Sequence, residues 1–148
     1  MRVLRSETSN RYCGPAALSL LTGLHVDEVT NMLRAQRGYE TYIRGVKGHE
    51  MFAVLDSLGF GCYPVILTHE ELFKKQTVAA WLRAKCAMRT PGTKFLVNVT
   101  NHYIVICGRK IYDNKHPDGV VFIRQYPYRR QRVVKSWIVR KKTPKLGY

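Results

Sequence analysis

Apolar positions follow a helical period through most of the first ninety residues and an alternating period after them. From Cys13 to Thr22 the chain is mostly apolar, Pro15 is tolerated only in a first turn, and Gly23 supplies a stop, which predicts a buried helix opening at Cys13. Val26 to Arg37 carries Asp27 and Glu28 in its first turn and Val26, Val29 and Leu33 on one face, a second and amphipathic helix. Glu50 to Leu58 sets Met51, Val54, Leu55 and Leu58 on one stripe before Gly59, a third. Cys62 to Leu67 is short, apolar and β-branched, a strand, whereas Thr77 to Met88 returns to helical spacing through Val78, Trp81, Leu82 and Lys85. Strands are then expected at Lys94 to Val99, His102 to Cys107, Lys110 to Asp113, Val120 to Gln125 and Val133 to Val139, with turns at Gly108-Arg109 and Pro117-Asp118-Gly119. Helices first and antiparallel sheet second is an α+β order.

Length and composition make this one domain. The 148 residues are 45% hydrophobic and 24% charged, and no repeat, low-complexity tract or Gly/Ser/Pro linker divides them. No apolar run approaches the length of a membrane span, and Met1 to Glu7 lacks the apolar stretch of a secretion signal, so a cytoplasmic protein is expected. Cys13, Cys62, Cys86 and Cys107 are widely spaced, with no CxxC pair and no zinc-finger spacing. They read as free thiols, no metal or organic cofactor is expected, and Cys62, Cys86 and Cys107 stand in apolar contexts that suit core positions.

The net charge of +15 is unevenly distributed. Residues 119–148 hold nine Lys and Arg and no acid, a basic C-terminal margin that implies an anionic partner. Within it Arg124, Arg129, Arg130 and Arg132 alternate with Tyr126 and Tyr128, as in surfaces that pair phosphates and stack bases. A solvated face or a patch for an acidic protein has the same composition.

Chemistry concentrates at Cys13. A cysteine at a helix N-terminus faces free backbone N–H groups and the positive end of the dipole, both of which favour thiolate. Gly14 lets a substrate backbone come close. A thiolate nucleophile needs a base working near neutral pH, and His102 opens an apolar strand whose hairpin returns through Ile111 and Tyr112 to Asp113-Asn114. Asp113 would orient the imidazole and stabilise its charged form, and Asn114 would perform only the first task.

These residues resemble the papain-like cysteine peptidases, and among them the double-glycine leader peptidases of bacteriocin exporters and their small stand-alone bacterial and phage relatives. The likeness rests on Tyr12-Cys13-Gly14-Pro15-Ala16-Ala17-Leu18, on Asn101-His102-Tyr103-Ile104-Val105 and on Tyr112-Asp113-Asn114, in the family's order of Cys, His and Asp. It implies a papain-like fold in which the nucleophile starts a central helix packed on the sheet. It further implies a peptidase working through an acyl-enzyme, with Cys13 as nucleophile, His102 as base and Asp113, or alternatively Asn114, as orienting residue. The family's oxyanion Gln lies six residues before the nucleophile; here that position is Glu7, and Asn10, three residues before Cys13, carries the amide donor such a site needs. The expected partner is a protein or peptide with an acidic recognition region, in a bacterial or infected host cell, virion association included. The rival expectation is a catalytically silent papain-like module whose basic face holds nucleic acid or an acidic virion or host protein.

Overall fold

A computed structural model describes residues 12–38, 43, 45–66, 68, 71, 74–100, 102–115 and 120–143. Three helices come first: α1 (Cys13–Thr22), α2 (Val26–Gln36) and α3 (Gly48–Ser57). Their boundaries follow local chemistry. His25 Nδ1 accepts the Asp27 N–H at 3.1 Å and Glu28 accepts the His25 N–H at 3.3 Å, a reciprocal cap that starts α2. Glu50 caps α3 in the same manner by accepting the Lys47 N–H at 3.0 Å.

β1 (Phe60–Pro64) follows, then α4 (Val78–Ala84) and a 3-10 turn at Cys86–Met88. Strands β2 (Lys94–Val99), β3 (His102–Cys107), β4 (Lys110–Tyr112), β5 (Val120–Phe122) and β6 (Val133–Lys141) complete one six-stranded sheet. Every pairing is antiparallel, in the order β1-β6-β2-β3-β4-β5, so the last strand in sequence lies between β1 and β2.

Alternation along the strands divides the core in two. Leu96, Tyr103, Val105, Tyr112, Trp137 and Val139 pack under α1, α2 and α3. Phe95, Val97, Ile104, Ile106, Ile111 and Val121 pack on the other face with Val78, Trp81 and Leu82 of α4. Because both faces are covered, β2 and β3 are apolar almost throughout rather than alternating apolar with polar. The fully buried Trp81 meets Phe95 edge-on at 5.2 Å and donates its indole N–H to Ser136 Oγ at 3.1 Å. Among the described residues no helix is long and apolar enough to cross a membrane.

The α+β order is as expected, with shifts at the margins. The first strand lies at Phe60–Pro64 rather than Cys62 to Leu67, because its register is fixed by β6, Cys62 facing Val139. The helix expected to reach Met88 ends at Ala84, after its last buried apolar residue, Leu82. Val120 to Gln125 is strand only to Phe122, and Ile123–Gln125 turns as 3-10. Cys86 is exposed rather than core, and Cys62 and Cys107 are half-buried. The expected turn at 117–119 lies outside the described residues.

Candidate active site

Cys13 is the first residue of α1, after an extended Tyr12 that supplies no side-chain cap. The first helical bond runs from the Ala16 N–H to the Tyr12 carbonyl at 3.2 Å, so the amides of Cys13 and Gly14 precede the ladder, and Pro15 has none.

His102 and Asp113 meet through strand register. Gly108 turns the β3–β4 hairpin with φ +58°, a left-handed backbone that suits glycine, and Val105 faces Tyr112. One further step sets Asp113 opposite Ile104, and His102, two residues before Ile104, shares that face. The result is a buried hydrogen bond of 2.6 Å from His102 Nε2 to Asp113 Oδ1. Asp113 is only 1% exposed and takes two more donors, the Lys115 N–H at 3.0 Å on Oδ1 and the Tyr126 hydroxyl at 2.8 Å on Oδ2. Burial alone would raise its pKa; His102, Lys115 and Tyr126 overcome that and hold the carboxyl below its ordinary value. Asp113, rather than Asn114, is therefore the residue that engages the ring.

With Nε2 committed to Asp113, Nδ1 is the nitrogen left for Cys13, whose thiol shares a hydrogen bond with the imidazole. Burial opposes the thiolate, but the bond from His102, the backbone N–H of Tyr103 and the N–H of Cys13 itself bring the thiol below its ordinary pKa. Burial likewise opposes the charged ring, yet Asp113 and Cys13 raise His102 to about 9. Both shifts favour the thiolate–imidazolium pair over the neutral pair, with a buried carboxylate behind the ring.

Gly14 has a different role from the one expected. A Cβ there would lie 2.6 Å from Val46 Cγ2 and 2.8 Å from Val46 Cβ, so its open side is filled by the chain's own 45–47 segment, not by substrate. That segment is held by Arg37, which pairs with Glu50 at 2.6 and 2.8 Å and donates to the Gly45 carbonyl. The guanidinium beside it, against a smaller opposing effect of burial, holds Glu50 down to about 2.

Both oxyanion candidates, Glu7 and Asn10, lie outside the described residues. Arg129, Arg130 and Arg132 are exposed in the segment that runs beside the start of α4, and Arg124 is exposed in the 3-10 turn after β5, but Tyr126 among them is buried against Asp113. Composition had grouped that tyrosine with a stacking surface, and no local pattern marks it otherwise. Tyr103, whose N–H faces the thiolate, was legible only as a strand residue. An open cavity of about 640 Å³ between α3, β1 and β6, lined by Phe52, Cys62, Tyr63 and Trp137, contains none of Cys13, His102 and Asp113. Burial pushes the Cys62 thiol there up to about 11, the opposite of Cys13. No cluster of metal-ligating side chains occurs among the described residues. In comparisons with known proteins, the chain matches no family model and no curated protein.

Proposed function

We propose that this chain is a papain-like cysteine peptidase that cleaves peptide or isopeptide bonds through Cys13, His102 and Asp113, in a reducing cytoplasm where its thiols stay unpaired. The observation that carries the reading is the buried 2.6 Å bond from His102 to Asp113, on a ring whose other nitrogen serves the thiol at a helix start. The Cys13 thiolate attacks the substrate carbonyl carbon, and the new C–S bond pushes an electron pair onto the carbonyl oxygen. The amide N–H groups that precede the α1 ladder are the donors for that oxyanion. Imidazolium then gives its proton to the leaving amine as the C–N bond breaks, leaving an acyl-enzyme. His102 next takes a proton from water, which attacks the thioester and regenerates the thiol.

The test joins reactivity with turnover. Iodoacetamide alkylation followed by intact mass spectrometry across the acid-to-alkaline range should modify Cys13 well below the ordinary thiol range near 8.5, and His102→Ala should move that profile upward. On a proteome-derived peptide library, new termini should appear with wild type and vanish with Cys13→Ala. An ordinary Cys13 profile with no Cys13-dependent cleavage would overturn the proposal and leave a papain-like binding module in its place.

A further inference from the structure

Cations on the α4 face of the sheet fall into two groups. Lys85 pairs with Glu71 at 3.4 Å, and Arg89 donates to the carbonyls of Gly108 and Leu82 at 3.0 Å, so both are engaged by the fold. Lys74, Lys75, Arg124, Arg129, Arg130 and Arg132 are exposed, and none has a carboxylate within ion-pair distance among the described residues.

Backbone contacts gather most of this second group into one surface. The amides of Val78 and Ala79 donate to the carbonyls of Gln131 and Arg129 at 2.8 and 3.1 Å, Val133 N–H reaches the Gln76 carbonyl at 2.7 Å, and Arg132 Nη1 reaches the Lys75 carbonyl at 2.9 Å. Segments 74–77 and 129–133 therefore run side by side. The described carboxylates nearest them are already engaged, Glu71 by Lys85 and Asp113 by three donors. Tyr128 stands in the same stretch, 37% exposed, its ring braced edge-on by the buried Tyr126 at 5.6 Å.

We propose that this surface binds single-stranded nucleic acid without reading its sequence, lysines and arginines on successive phosphates and Tyr128 under an unpaired base. Two features favour a polynucleotide over an acidic protein. A protein interface needs an apolar centre, and among the exposed large apolar residues only Tyr128 lies in this stretch. A braced aromatic ring among exposed guanidiniums that face no carboxylate is the pairing that stacks bases along a phosphate chain.

Binding is measured by fluorescence anisotropy with a labelled oligothymidylate, a mixed-sequence duplex and a poly-glutamate competitor of equal charge. With five or six cations on phosphates, affinity for the single strand should fall about 100-fold or more between about 50 and 200 mM salt. The triple variant Lys75→Ala/Arg129→Ala/Arg130→Ala should lower the steepness of the log–log salt plot by about 2. Tyr128→Ala should weaken the single strand about 10-fold while sparing the duplex. A control pair on the far side of the sheet, Lys135→Ala/Lys141→Ala, on the face of Trp137 and Val139, should leave binding within about threefold. These positions are exposed, and thermal unfolding verifies each variant's fold. A flat salt response, equal loss in the control pair, or competition by poly-glutamate as strong as by DNA would overturn the assignment.

Discussion

Asp113 is a buried carboxylate that three donors keep charged, and two substitutions separate what it does from what holds it. In Asp113→Asn the ring keeps an acceptor but loses a negative neighbour, so His102 must fall from about 9. The sign follows directly. A raised histidine pKa keeps the imidazolium up to that value, so lowering it moves the alkaline limb of kcat/KM to lower pH, while weaker support for the thiolate moves the onset of Cys13 alkylation to higher pH. The bell should narrow from both sides, which pH–rate and alkylation profiles will read. Tyr126→Phe instead removes one hydrogen bond to a charged group, worth about 1.5–3 kcal/mol in denaturant unfolding, and should raise the Asp113 pKa, shifting the acid limb upward. A purely structural tyrosine would lower stability and leave the acid limb where it was. The juxtaposition of Cys13, His102 and Asp113 was legible because each sits beside a local sign: a helix start, a strand start, a hairpin end. Tyr126 was not, because its role is set by a contact across thirteen residues of chain whose composition points elsewhere.

The helices were legible because capping and stop residues punctuate them, and the β3–β4 hairpin because a two-residue turn fixes its register. β1 was displaced by two residues because β6, seventy residues on, decides where it pairs. The 45–47 segment offered no periodic pattern at all, yet it fills the open side of α1 beside Cys13. Gly14→Ala should therefore destabilise by about 1–3 kcal/mol through overpacking and lower kcat/KM by displacing the start of α1. Val46→Ala in the same chain should restore much of both, measured by thermal unfolding and turnover of the double variant. Failure of that rescue would place the cost in the helix rather than in the contact.

Over the whole molecule, the Arg37–Glu50 pair ties α2, α3 and the 45–47 segment together, so its titration reaches global stability. The Glu50 carboxyl lies at about 2 when folded, against 4.5 for an unperturbed group. Its contribution is complete above the unfolded value and disappears as pH falls toward 2, an effect on the order of 3 kcal/mol. Glu50→Gln should lower stability near neutral pH and flatten its decline across that acid window, as followed by denaturant unfolding at a series of pH values.

The position of β6 bears on when this protein becomes itself. During synthesis the ribosome releases α1, the hairpin and Cys13, His102 and Asp113 before the strand that joins β1 to β2 has been made. Until Val133–Lys141 emerges, β1 has no strand to pair with and β2 presents a bare edge. A nascent chain thus carries Cys13, His102 and Asp113 early, while the strand that joins β1 to the rest of their sheet comes after all three.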